Sequence, residues 1–292
     1  MSEAFTRTPT GIVAKWQFHD VPTVWVEGPT DILFYPPALR GLKFRLEPFH
    51  GCNNAVALVE GITQGDLPYL VILDGDYGIL KPKRSVHRRV IILSRHSFEN
   101  YLWHKDSLNY TCAKHAQSGE QSDVLGGEMA RLERHLKEVF RSAIELDVAS
   151  MACNPAPKLL PENIEQLLAN QNGPDVDPVK VANFIGSAAD VIPASDVRDA
   201  RRLVREFLET RPFHELLKGH LLLGVLQKMF CKKASELKGA SAPLRQDALV
   251  QIVSEVIWIT AKDPDYKKLR AKLRKQLSDC AAHPNMLALA AT

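Results

Sequence analysis

The sequence predicts an α/β protein, with a parallel sheet flanked by helices in its N-terminal part and a mostly α-helical C-terminal part. Over the first hundred residues, strand-like apolar runs alternate with helical segments, and the strongest runs, YLVILD and RVIIL, resemble strands buried on both faces. After about residue 105, apolar residues recur every three to four positions, which is typical of amphipathic helices. We therefore predict a catalytic domain over 1–105 and a helical domain over 106–292.

The N-terminal elements are predicted from their apolar runs and turn residues. A helix over 30–40 is interrupted by Pro36 and Pro37, and a later helix has Asn53 or Asn54 as its N-cap. In chain order the predicted elements are a strand over 22–27, a helix over 30–40, a weak strand over 43–49, a helix over 53–64, and strands over 69–74 and 89–93.

The C-terminal helices are predicted from periodicity. Apolar residues from Leu125 to Ile144 keep a helical spacing. Glycine and proline residues predict that 170–196 is rich in loops. Further helices are expected near 197–209, 214–231, 246–261 and 266–281.

Composition excludes several classes of protein. Hydrophobic residues make up 45% of the chain, which is too many for a disordered protein, and a net charge of +3 does not by itself indicate nucleic-acid binding. The five cysteines form no C-x-x-C pair, so neither a zinc finger nor a disulfide framework is indicated. The N-terminus lacks an apolar signal segment and no run is long enough to span a bilayer, so we expect a cytoplasmic protein without membrane contact.

Carboxylates follow three of the predicted strands. Glu27 ends the first strand, Asp74 and Asp76 follow YLVIL, and Glu99 comes shortly after the strand over 89–93. Because ligands bind at the carboxyl ends of strands in open α/β sheets, these acids are expected at one rim, where a counter-ion would relieve their repulsion. Hard oxygen ligands favour Mg²⁺ or Mn²⁺, so one or two such ions are predicted.

The pattern E-G-x-x-D followed by D-x-D resembles the TOPRIM domain. Here the first motif runs from Glu27 to Asp31 and the second is Asp74-Gly75-Asp76, and the resemblance covers about residues 20–105. It implies a metal-dependent phosphodiesterase in which the metal ligands are Glu27, Asp31, Asp74, Asp76 and Glu99. Glu27 would act either as a ligand or as a general acid or base.

Two further segments, RHSFENYL (95–102) and LLKGHLLL (216–223), are similar to TOPRIM proteins allied to the OLD-family nucleases and to effector nucleases of anti-phage defence. This likeness implies a homodimeric toxic endoribonuclease that is held by an ABC-type ATPase subunit. On sensing a phage-encoded trigger, it would be released to cleave host tRNA in an abortive infection. The likeness also adds Lys218 to the catalytic residues and His220 to the nucleic-acid contacts.

Each of these residues also has a structural interpretation. Asp31 lies in the first turn of a helix, where the macrodipole favours an acid without any chemistry. The D-G dipeptide at 74–75 is common in turns, and Glu99 follows Ser97 at a possible helix start.

Basic residues are concentrated in two segments. The run KPKRSVHRRVIILSR holds six candidate phosphate contacts beside the D-x-D motif, which are Lys81, Lys83, Arg84, Arg88, Arg89 and Arg95. A second segment, YKKLRAKLRKQL (266–277), is predicted as an amphipathic surface helix first and as a nucleic-acid-binding face second.

Two other functions stay open. The protein could be an OLD-like DNA nickase or nuclease, because there is no RNP motif or aromatic stacking array to select RNA. It could also be a non-catalytic module that regulates a partner ATPase. The chain has no Walker A motif, so ATP hydrolysis would have to take place in that partner.

Overall fold

A computed structural model describes residues 8–81, 86–119, 123–153 and 155–290. The described residues form two compact units, which are each discontinuous in sequence. The first comprises 8–74, 86–94 and 254–290, and the second comprises 75–81 and 95–253 with the gaps given above. The sheet and the last two helices thus lie in one unit, whereas the predicted boundary after residue 105 would separate them.

The first unit contains a four-stranded parallel sheet with the strand order β2-β1-β3-β4. This confirms the predicted α/β class and the parallel sheet. Its strands are β1 (Thr23–Val26), β2 (Arg45–Pro48), β3 (Leu70–Leu73) and β4 (Val90–Ile92), and its helices are α1 (Pro9–Ala14), α2 (Asp31–Phe34) and α3 (Cys52–Thr63), with the end of α9 (Gln246–Thr260), α10 (Pro264–Ala281) and α11 (Pro284–Ala290).

The core of the first unit lies between the sheet and its helices. Trp25 and Val71 project from adjacent strands onto Leu58 and Ile62 of α3, and Met286 of α11 joins the same cluster. The last three residues of β1 and of β3 are apolar, and an acid follows each of these two strands.

The cap prediction for α3 is wrong. Gly51, with a φ of 102°, is the N-cap, and Asn54 lies inside the first turn. Its side-chain amide donates to the carbonyls of Phe49 at 2.6 Å and His50 at 3.2 Å. The positive φ, which glycine tolerates best, turns the chain out of β2 and into the helix two or three residues earlier than the asparagines indicated.

The second unit is helical in the part that the structure describes. Its long helix α5 packs against α6 and α7, and α8 packs against α4. The helices are α4 (Lys105–His115), α5 (Glu128–Ser150), α6 (Pro178–Ile185), α7 (Ala194–Thr210), α8 (Gly219–Lys238) and the first part of α9.

The loop prediction over 170–196 is partly wrong, because α6 lies within it. Asp177 is the N-cap and its carboxylate accepts from the backbone N of Val179 at 2.8 Å, while Pro178 occupies the first helical position. Proline is compatible with that position, where its missing N–H would have no intrahelical partner. The Asp-Pro pair was therefore a helix start and not a turn.

Candidate functional site

Two of the predicted acids meet at the carboxyl edge of the sheet in the first unit. β1 and β3 are neighbouring parallel strands in which Trp25 pairs with Val71, so the residues that follow them emerge at the same edge. Glu27 Oε1 accepts a 2.7 Å hydrogen bond from the backbone N of Asp74. Both side chains are half-buried. The structure thus brings together the first residues of the two motifs, which are distant in the sequence.

Asp31 closes the turn that begins at Glu27. Its side chain is buried, and Oδ2 accepts a 3.1 Å hydrogen bond from the backbone N of Gly28. A Cβ atom at position 28 would lie 3.2 Å from the same oxygen, which is tighter than ordinary contact. The E-G-x-x-D pattern is therefore explained locally as a turn in which Gly28 leaves room for Asp31. The predicted metal contact of Asp31 stays a prediction.

In the second unit, Asp76 is held by its backbone in an unusual conformation. Its φ is 41°, which lies in the left-handed region, and its backbone N donates to the carbonyl of His96 at 2.8 Å. Aspartate visits this region more readily than most residues other than glycine, and His50, Asp66 and Gln117 also have a positive φ, so the conformation alone does not mark a site.

The carboxylate of Asp76 faces two basic side chains. The side chain is 66% exposed, yet the surrounding protein raises the pKa of Asp76, and the positive charge of Lys218 opposes that rise. His96 Nδ1 lies 4.0 Å from Asp76 Oδ1. The carboxylate therefore lies near a buried imidazole and is also influenced by the positive charge of Lys218.

His96 is a buried, neutral histidine. Burial lowers the pKa of His96 to about 3, and the charges of Lys218 and His220 add to the effect. The ring packs edge-to-face on Tyr77 at 5.0 Å. Within the part of the chain that the structure describes, Nδ1 has no hydrogen-bond partner. A buried polar atom of this kind is uncommon and needs a physical explanation, such as a bound water or ligand.

Lys218 is fixed by an acid that sequence reasoning missed. Its Nζ lies 2.7 Å from Asp147 Oδ2, and Tyr77 Oη donates to the same oxygen at 2.8 Å. Asp147 is buried on α5, so its charge needs both partners. Burial and the neighbouring Asp147 raise the pKa of Tyr77, which stays a neutral donor. Tyr77, Asp147 and Lys218 form what we call the lysine-holding triad.

The two motifs RHSFENYL and LLKGHLLL come together in the second unit. Asn100 is fully buried, and its side-chain amide donates to the carbonyls of His214 at 2.5 Å and Leu217 at 2.8 Å. Its Oδ1 accepts from the backbone N of Ser97 at 2.7 Å, which makes Ser97 and Asn100 a capping pair. Asn100, and not Glu99, therefore completes the cap, and it also fixes the segment that carries Lys218.

Glu99 lies against the first residue of α8. A Cβ atom at Gly219 would collide with Ser97 Oγ and with Glu99 Oε2. Glycine is therefore required at 219 for this approach, and the N-terminus of a helix is a favourable place for a carboxylate. The predicted role of Glu99 as a metal ligand stays a prediction.

The predicted phosphate contacts fall into three groups. Arg89 and Arg95 are buried, with Arg89 paired to Asp66 and Arg95 Nε 3.2 Å from Glu215 Oε1. Burial prevents both from reaching a phosphate in this structure, so they are better explained as structural cations. Lys81, Arg88 and His220 are at least partly accessible, and Lys83 and Arg84 lie outside the described residues.

The accessible members of this set have different surroundings. Lys81 lines a surface cavity of about 340 Å³ that also contains Asp196 and Asp199. Arg88 is 3.8 Å from Asp279, and His220 Nε2 is 3.2 Å from the carbonyl of Pro161. The basic run therefore does not form one continuous cationic strip among the described residues.

The chemistry of the acids fits a hard divalent cation. Glu27, Asp74, Asp76 and Glu99 offer only oxygen atoms, and burial raises the pKa of Asp76. Among the described residues, no group of three or more His, Cys, Asp or Glu side chains forms a ready-made metal site. The number of ions and the full set of ligands stay predictions.

Comparisons with known proteins identify no family. No protein-family model matches the chain, and no curated protein matches it significantly. Among the helices described, none combines the length and the apolar character that crossing a bilayer requires.

Sequence reasoning missed His96, Asn100 and Asp147. Asp147 continues the apolar stripe of α5 after Phe140 and Ile144, and an acid on such a stripe is a signal of a buried ion pair. His96 and Asn100 lie inside the RHSFENYL motif, in which only Arg95 and Glu99 were predicted to have a role.

Proposed function

We propose that this protein is a metal-dependent TOPRIM-type endonuclease and that tRNA is its favoured substrate. The observation that supports the chemistry is the placement of Glu27 and Asp74 at the ends of adjacent parallel strands, linked by the 2.7 Å hydrogen bond. These acids therefore lie at the carboxyl edge of the sheet, which is the edge where open α/β sheets bind ligands. The choice of RNA rests on the resemblance to effector nucleases and on no contact in the structure.

Glu27 and Asp74 are the proposed ligands of Mg²⁺ or Mn²⁺, and the chain adds Asp76 two residues after Asp74. Such an ion, when bound, polarises a phosphodiester and lowers the pKa of an attacking water. Glu27 serves as a ligand or as a proton carrier. Glu99 remains a further candidate ligand.

Lys218 supplies a fixed positive charge. Because Asp147, which is itself held by Tyr77, fixes the ammonium group, that group needs little reorganisation to stabilise negative charge that develops on a phosphate. His96 stays neutral and therefore adds no second positive charge beside Asp76.

The sequence resembles AriB, the effector nuclease of the PARIS anti-phage system. On that basis we propose a homodimeric toxin that is released from an ABC-type ATPase partner after a phage-encoded trigger is sensed. Cleavage of host tRNA would then stop growth of the infected cell.

The test is a cleavage assay with purified protein, total tRNA and supercoiled plasmid, with Mg²⁺, with Mn²⁺ and with EDTA. We expect tRNA cleavage that EDTA abolishes. Asp74→Asn and Asp76→Asn should each lower the rate at least about a hundredfold, because each removes a carboxylate that would hold the metal ion. Asp190→Asn, which changes an exposed acid, should cleave like the wild type.

The possible outcomes separate the alternatives. If the plasmid is nicked while the tRNA stays intact, the substrate is DNA and not RNA. If Asp74→Asn and Asp76→Asn both remain toxic in cells and no nucleic acid is cut, the non-catalytic module is the better interpretation.

A further inference from the structure

Helix α10 of the first unit has one buried face and one charged face. Tyr266, Leu269, Leu273 and Leu277 are buried. Its two arginines stabilise the fold through hydrogen bonds. Arg270 Nη1 donates to the carbonyl of Trp258 and Arg274 Nη1 donates to the carbonyl of Arg40, both at 2.9 Å.

The opposite face of α10 consists of lysines. Ala271 is exposed among them, and the exposed Ser278 and the partly exposed Asp279, which lies 3.8 Å from Arg88, follow at the C-terminal end of the face. We call this surface the lysine face, and its members are Lys267, Lys268, Lys272 and Lys275. Within the described parts of the chain, none of the four ammonium groups forms an ion pair or a hydrogen bond.

This arrangement costs stability. Lys268 and Lys272 are four residues apart and Lys272 and Lys275 three apart, so they are neighbours on the helix surface. Like charges at these spacings destabilise a helix by roughly 0.2–0.5 kcal/mol per pair, and a glutamate at one position would reverse the sign. The lysine face is therefore explained best by an anionic ligand that is absent from the isolated chain.

The side chains favour nucleic acid over protein as that ligand. Protein interfaces are enriched in aromatic residues and arginine and depleted of lysine, whereas this face has four lysines, small residues and no exposed aromatic side chain. Lysine is a flexible point charge that contacts phosphates without reading bases. The four residues cover about 12 Å of helix axis, at about 1.5 Å per residue.

We propose that the lysine face binds the sugar-phosphate backbone of a nucleic acid without sequence preference. The inference rests on the proposed nuclease function for the identity of the nucleic acid, but binding itself requires no cleavage.

The test measures the affinity of the full chain for labelled total tRNA in EDTA over a series of salt concentrations. The variant carries Lys267→Gln, Lys268→Gln, Lys272→Gln and Lys275→Gln, since glutamine has nearly the same helix propensity as lysine. Each lost phosphate contact lowers the salt slope by about 1, so we expect a slope smaller by about 3 to 4 and an affinity at least about tenfold weaker near 100 mM salt. A DNA duplex should show the same decrease.

A matched control removes the same charge elsewhere. Four exposed lysines on helices of the second unit are replaced by glutamine, and they are Lys114, Lys137, Lys232 and Lys238. This control should keep the wild-type slope. Circular dichroism checks that both quadruple variants are folded.

The outcomes distinguish this inference from the proposed function. Equal losses in the variant and the control would mean that only net charge matters, and an unchanged slope in the variant would mean that the face binds no nucleic acid. Either result overturns the inference. It is also overturned if an acidic partner protein requires the four lysines for binding while tRNA binds equally well without them. Wild-type protein that binds tRNA through the face but never cleaves it would overturn the proposed function alone.

Discussion

The acids of the first unit and the polar groups of the second are held in place by different means. Glu27 is positioned by the register of two strands and by a backbone N–H. Lys218, which precedes α8, is positioned by the other two members of the lysine-holding triad, Asp147 on α5 and Tyr77. One arrangement depends on the backbone and the other on buried side chains.

The difference has consequences for stability. A carboxylate that accepts from the backbone at a strand end can be replaced by another acceptor at little cost. A buried acid with two side-chain partners cannot be removed without leaving those partners unsatisfied. We therefore expect substitutions in the second unit to cost more stability than those at the sheet edge, and the predictions below test that expectation.

The largest effect is expected at Asp147. Asp147→Ala leaves the ammonium of Lys218 and the hydroxyl of Tyr77 without their common acceptor, and we expect the free energy of unfolding to fall by about 3 kcal/mol. Asp147→Asn keeps an acceptor for Tyr77 and should cost about 1–2 kcal/mol. Urea denaturation measures both values.

A triple variant provides the control for this prediction. Asp147→Leu, Lys218→Met and Tyr77→Phe together replace the polar triad by apolar side chains of similar size, and the combination should recover much of the lost stability. A cost below about 1 kcal/mol for Asp147→Ala would show that the triad contributes little to the fold.

A smaller effect is expected from His96 as the pH is lowered. Burial depresses the pKa of His96 to about 3, whereas the unfolded chain binds the proton near 6.5. Between these values only the unfolded state is protonated, so stability is lost as the pH falls, by up to about 1.4 kcal/mol per pH unit. From pH 6.5 to pH 5 the loss should be about 2 kcal/mol.

His96→Gln isolates this effect, because glutamine does not titrate. His19 and His87, whose pKa values are also lowered, contribute equally to both proteins and cancel in the difference. Denaturation in EDTA at several pH values should give a shallower profile for the variant. Parallel profiles would mean that His96 is accessible to protons in the folded protein.

The sequence was more informative about the first unit than about the second for a physical reason. A strand end is a local signal, so Glu27 and Asp74 could be assigned to one sheet edge from apolar runs alone. The bonds of Asn100 to the carbonyls of His214 and Leu217 join segments more than a hundred residues apart, and no periodicity encodes them. The burial of Arg89 and Arg95 was missed because a basic run is normally solvated and their acids, Asp66 and Glu215, lie outside it.

The smallest effect on stability is expected at Glu27, and it separates the charge of this residue from its hydrogen bond. Glu27→Gln keeps an oxygen that accepts from the backbone N of Asp74, so the free energy of unfolding should change by less than about 0.5 kcal/mol. Glu27→Ala removes the acceptor and should cost about 1–2 kcal/mol. Under the proposed function, both variants should lose cleavage, because both lose the carboxylate charge. If Glu27→Gln instead cleaves like the wild type, the charge of Glu27 is not needed for cleavage, and its side chain acts only as a hydrogen-bond acceptor at the end of β1.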